Sequence, residues 1–202
     1  MRGCKTILAA AAVLTATACG APPSPPSPAA PALESTAGAG AGCAAEAAID
    51  WAPRDAGPYQ ITARAAGETC GAGEASIAVK DATGKVLYSG AFDVAVMTNT
   101  IFADAKTPET TKAALLAWID PQSSAMETTR ALPDWPAGAE QPQSGEFPFY
   151  PAEGLTRDAY LRLRAQDKPL YCFVQGGESM KCIALDAAAN AMTDVGVQSF
   201  PG

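Results

Sequence analysis

Histidine is absent from all 202 residues. That removes the side chain most often used as a general base near neutral pH, and the most common metal ligand. It also closes the Ser–His and Cys–His routes to an activated nucleophile. Neither S-x-x-K nor G-x-S-x-G occurs, and Ser179-Met180-Lys181 has the wrong spacing for a serine–lysine pair. No C-x-x-C is present, which excludes a dithiol redox motif and the close thiolate pairs from which zinc sites are built. A D-x-D calcium loop is missing too. Positive charge is scarce: Lys and Arg total 14 against 21 acids, a net charge of −7. A nucleic-acid partner is therefore excluded, because phosphate neutralisation needs a basic face. No cofactor and no metal are expected. Apolar residues nevertheless make up 48 % of the chain and charged residues 17 %, which suits a folded core and argues against disorder throughout.

The chain opens Met1-Arg2-Gly3-Cys4-Lys5, basic and without an acid, and Thr6–Ala18 is then uncharged. As a helix this run would rise roughly 20 Å, short of the roughly 30 Å hydrocarbon core, so it reads as a secretory signal and not as a span. Its end, Leu14-Thr15-Ala16-Thr17-Ala18-Cys19-Gly20, resembles a bacterial lipobox. The resemblance covers residues 1–19. It implies cleavage after Ala18, lipidation of Cys19 on sulfur and acylation of its new amino group. The membrane is then a partner through the N-terminal lipid. Two or three chains hold stably where one binds reversibly, each buried methylene contributing about 0.8 kcal/mol. Gly20 stands where an Asp would mark retention in the inner membrane, so the resemblance implies an outer-membrane protein facing the periplasm.

Six cysteines are present. Cys4 leaves with the signal and Cys19 takes the lipid. Cys43, Cys70, Cys172 and Cys182 remain, and an even remainder in an exported chain reads as two disulfides with three possible connectivities. The preferred pairing is Cys43–Cys70 with Cys172–Cys182. The second pair has a local reason. Leu170–Gln175 and Met180–Leu185 are strand-like runs around Gly176-Gly177-Glu178-Ser179, and centring that turn near Gly177 places Cys172 opposite Cys182.

Ala21–Leu33 (APPSPPSPAAPAL) and Ala37–Gly42 (AGAGAG) cannot bury a core and are expected to be an extended, disordered tether. Gly40–Ala45 fits G-x-G-x-x-A, but no strand precedes it and the match is dismissed. The organisation is then a signal at 1–18, a lipidated cysteine and linker at 19–42, and one globular domain at 43–202.

Within that domain, Tyr59–Arg64 alternates as a half-buried strand, and residues 75–88 form a hairpin around Asp81-Ala82-Thr83-Gly84-Lys85. Gly90 is expected to bend the chain before a strand with Phe92, Val94 and Val96 on one face. Thr107 caps a helix with Pro108 at its first position and Leu115, Trp118 and Ile119 buried; Pro121 ends it. Thr156 starts a second helix, with Leu155 and Tyr160 spaced for a hydrophobic staple. Val195–Phe200 reads as a last strand. The fold class is α+β, a mainly antiparallel sheet with two helices, stapled by disulfides.

Two segments are candidates for a binding surface. Leu132–Pro151 reads as a long loop, and its Trp135, Phe147, Phe149 and Tyr150 suit a peptide or glycan. Arg157, Arg162 and Arg164, with Lys168, give the second helix a basic face suited to phosphate or carboxylate groups. The expected function is non-catalytic: a tethered domain that binds or supports an envelope protein or cell-wall component. One alternative is an inhibitor of a periplasmic hydrolase, inserting the 176–179 turn or the 133–151 segment. Another is a hydrolase built on a carboxylate pair.

Overall fold

The computed structural model describes residues 42–200 apart from residues 55, 125 and 145. The signal, Cys19 and nearly all of the tether lie outside the described residues. In chain order the elements are β1 (Cys43–Trp51), β2 (Tyr59–Gly67), β3 (Glu74–Asp81), β4 (Val86–Asp93), α1 (Pro108–Ile119), β5 (Gln143–Ser144), β6 (Phe147–Pro151), α2 (Arg157–Ala165), β7 (Leu170–Gly176), β8 (Ser179–Asp186) and β9 (Ala191–Ser199). The class is α+β as expected, but the strands make two antiparallel sheets, β1-β2-β3-β4 and β5-β6-β9-β8-β7.

Alternation dictates which way the first sheet faces. Tyr59, Ile61, Ala63 and Ala65 of β2 and Ala75, Ile77 and Val79 of β3 are buried on one side. The intervening Gln60, Arg64 and Glu74 are exposed on the other. Against the buried side lies α1. Thr107 Oγ1 accepts from the Thr110 amide at 3.3 Å, and Thr110 Oγ1 accepts from the Thr107 amide at 3.0 Å, a reciprocal cap on two otherwise orphaned donors. The helix ends where Asp120 turns extended ahead of Pro121. Its Leu115, Trp118 and Ile119 join Trp51, Ile61, Ile77 and Val79 in one core.

Strands β7 and β8 are covered on both faces, which explains their nearly unbroken apolar runs. Tyr171, Phe173, Ile183 and Leu185 point into the core beneath α1. Leu170, Cys172, Cys182 and Ala184 point the other way, to a second core with Phe149, Val195 and the α2 residues Tyr160 and Leu163. Both preferred disulfides are present. Cys172 and Cys182 are direct register partners with Cα atoms 4.1 Å apart, and Cys43 and Cys70 are 5.0 Å apart. Where β9 bulges against β8, Gly196 adopts φ +145°, and a side chain there would strike the Tyr150 carbonyl.

Three expectations are corrected. Gly90 does not bend the chain: β4 runs through it, and the missing side chain leaves room for the Tyr88 and Phe92 rings. Val94–Met97 is a 3₁₀ turn and not a strand, because the Asp93 carboxylate caps the Ala95 amide at 2.8 Å; Val94 is buried while Val96 is exposed. Leu132–Pro151 is not one long loop, since β6 pairs with β9 inside the second sheet.

The 81–85 turn also links the two sheets. The Asp81 carboxylate accepts from Thr83 Oγ1 at 2.6 Å and from Asn190 Nδ2, in the turn before β9, at 2.6 Å. It accepts as well from the Thr83 and Lys85 amides, at 2.8 and 3.0 Å. The Thr83 hydroxyl, then Asn190, hold its pKa down from 3.8 to about 2. A carboxyl depressed in the folded state stabilises fully above its unfolded pKa, and that contribution is lost as pH falls towards the folded value. Asp81→Ala is thus expected to flatten the decline of the urea midpoint between about pH 4 and pH 2 relative to the parent. Parallel declines in the two proteins would refute the latch.

Candidate functional site

The aromatic residues singled out from sequence do not form an exposed strip. Phe149 is fully buried against Tyr160, ring centroids 5.9 Å apart. Trp135 packs edge-on to Tyr160 at 5.5 Å and donates its indole N–H to the Ala139 carbonyl. Phe147 is half-buried beside Phe200, and Tyr150 alone of the four is exposed. The physical reason is the β6–β9 pairing, which turns Phe149 inward to close the second core.

The basic face of α2 is also largely committed. Arg157 Nε donates to the Trp135 carbonyl at 3.0 Å. Arg164 Nε donates to the Leu132 carbonyl at 2.7 Å, and its guanidinium meets Asp134 at 2.7 Å. Lys168 meets Asp186 at 2.7 Å. With Tyr160 Oη donating to the Pro133 carbonyl at 2.8 Å, Arg157 and Arg164 strap the 132–135 segment onto the helix. Arg162 remains exposed. The start of the 133–151 segment is therefore fastened to the helix, and the 176–179 connection is a two-residue turn between paired strands.

The outer face of the first sheet offers a better-formed site. Register places Glu46 beside Arg64 and Ser76 in one row across the strands. The next row is Ala48, Thr62, Ala78 and Ser89, and the one after is Asp50, Gln60 and Lys80. The outer two rows carry long polar side chains and the middle row only short ones. Four residues along a strand separate the long rows by about 13 Å. The result is a groove across β1 and β2, floored by Ala48 and Thr62 of the short row; Ala78 beyond them is buried. Its hollow measures about 430 Å³ and is lined by Glu46, Ala48, Gln60, Thr62, Arg64 and Lys80, with Lys112 and Leu116 of α1 at the β1 end. A second hollow of about 240 Å³ shares Gln60 and Lys80 and extends the groove towards Asp50 and Asp81.

The groove's charge is biased. Arg64 Nε pairs with Glu46 at 3.0 Å. Lys80 and Lys112 make no ion pair among the described residues. Three cations and one carboxylate thus line the main hollow of a chain whose net charge is −7. Gln60 and Thr62 add donors and acceptors between them. By contrast, a cleft of about 230 Å³ lined by Trp51, Pro53, Arg54, Pro121 and Pro169 has its guanidinium engaged with Asp167 at 2.9 Å.

Sequence reasoning did not find this groove. The polar side of β2 was legible, but β1 (CAAEAAIDW) is rich in alanine, a helix former, and carries no strand signal. Without β1 and its register the rows are not assembled. Among the described residues no three metal-ligating side chains cluster. Comparisons with protein-family models, curated proteins and solved structures return no match to the chain.

Proposed function

We propose that this chain is exported, cleaved before Cys19 and held by lipid on that residue at the outer membrane, where its folded domain serves as a non-catalytic binding module. The observation that carries the reading is the closure of the cysteine count. The four cysteines beyond the tether pair with one another, as suits an oxidising compartment, and only Cys4 of the signal and Cys19 after it are left over. The lipobox resemblance then supplies Cys19 with a fate other than an exposed reactive thiol.

Within the domain, the groove on the first sheet is the face best suited to an envelope component. It is polar, open and supported by a rigid two-sheet body. Along β1 the two acids of the groove do not make the carboxylate pair of a hydrolase. Glu46 and Asp50 stand about 13 Å apart along one strand, beyond the roughly 5–10 Å that such pairs span, and Glu46 is held by Arg64.

Fractionation tests the anchor. Wild-type protein is expected in the membrane fraction after a high-salt wash, and Cys19→Ser in the soluble fraction. Full retention of Cys19→Ser on membranes would overturn the lipid attachment.

A further inference from the structure

We infer that the groove takes a carboxylate-bearing glycan strand. The inference rests on the binding-module reading above and names the ligand class of that same face.

The groove's shape points to a single extended chain. Two walls about 13 Å apart at the backbone, narrowed by the long side chains themselves, leave room for one chain lying across β1 and β2 over Ala48 and Thr62. The groove's chemistry argues against a protein partner. Protein–protein hot spots are aromatic or aliphatic anchors buried in pockets. Here the floor is alanine and threonine, and the one large apolar neighbour is Leu116 at the rim. An extended peptide added to a sheet would pair with a strand edge instead of crossing the face. What the groove offers is hydrogen bonding from Gln60 and Thr62, flanked by Arg64, paired with Glu46, on one wall and by Lys80 on the other, with Lys112 at the end. A polyhydroxylated chain carrying carboxylates answers both features. The hydroxyls meet the amide and hydroxyl side chains, and the carboxylates meet Lys80 and Lys112, which make no ion pair among the described residues. A protein of net charge −7 repels polyanions in general, so attraction has to come from a local excess of cations such as this one.

The test uses the full-length chain, produced with its own leader and purified in detergent, titrated with oligogalacturonate, neutral dextran and inorganic polyphosphate. Two variants accompany it. Lys80→Glu with Lys112→Glu reverses the free charge. Ala48→Trp, at an exposed position, fills the floor and leaves the charge unchanged. Retained disulfides and circular dichroism confirm folding. The inference predicts saturable binding of oligogalacturonate that weakens with salt, about a tenfold loss in each variant, and no binding of dextran. No binding to oligogalacturonate, binding that Ala48→Trp leaves unchanged, or equal or tighter binding of polyphosphate would overturn it. Because the anchor is tested separately by fractionation, a lipidated protein that fails to bind defeats this inference and leaves the membrane attachment standing.

Discussion

Trp118→Ala is expected to lower the stability of the folded chain by about 3–5 kcal/mol, the range for removing a large buried aromatic side chain. Trp118 is 1 % exposed and stands where α1 meets both sheets. Its ring lies edge-on to Phe92 of the first sheet at 5.7 Å, to Phe173 of the second at 6.2 Å, and to Phe102 ahead of the helix at 6.0 Å. Its indole N–H donates to the Val174 carbonyl at 2.7 Å. Truncation leaves a cavity among three rings and orphans that carbonyl together. Trp118→Phe separates the two effects: it keeps most of the packing and forfeits the hydrogen bond, for a smaller loss of about 1–2 kcal/mol. Urea unfolding of both variants checks the ordering. A Trp118→Ala midpoint within error of the parent would mean that the helix is not fastened to the sheets through this residue.

Reduction is expected to remove a large share of the domain's stability. The Cys43–Cys70 bridge spans 27 residues and Cys172–Cys182 spans 10. Constraint of the unfolded chain scales with the logarithm of loop length, which gives about 3.5 and 2.7 kcal/mol. Their sum, about 6 kcal/mol, falls within the roughly 5–15 kcal/mol that a domain of this kind possesses. Reductant should therefore shift the unfolding midpoint sharply downward. Of the two paired deletions, Cys43→Ala with Cys70→Ala should cost more than Cys172→Ala with Cys182→Ala, because its loop is longer. The short hairpin also keeps its strand pairing after the bridge is gone. A midpoint unchanged after all four thiols titrate as free would contradict the assignment of stability to the bridges.

The elements legible in the sequence were those whose signal is local. Thr107-Pro108 announces a helix start because cap and proline act within one turn. The Gly-Gly turn sets Cys172 against Cys182 because hairpin register follows from turn position. The 75–88 hairpin is visible because Asp81 and Gly84 supply turn chemistry between alternating runs. What was hidden depends on partners distant in the chain. Whether Phe149 faces solvent or core is decided by β9, some fifty residues later. Arg157 and Arg164 look like a free basic face until the 132–135 segment folds back to receive their donors. Val94 and Val96 look like strand residues until Asp93 caps the next turn. The groove is the furthest removed from local pattern. It arises only when rows from three strands are stacked in register, and one of those strands is alanine-rich and helix-like in composition.

The proposed function rests on lipid carried by Cys19 at the start of the mature chain. Mass spectrometry of protein purified from membranes tests it directly. The expected result is a mature N-terminal peptide beginning Cys19-Gly20 that carries a diacylglyceryl thioether and is blocked at its amino group. A mature chain that begins at any other residue, or that begins at Cys19 with a free thiol, would contradict it.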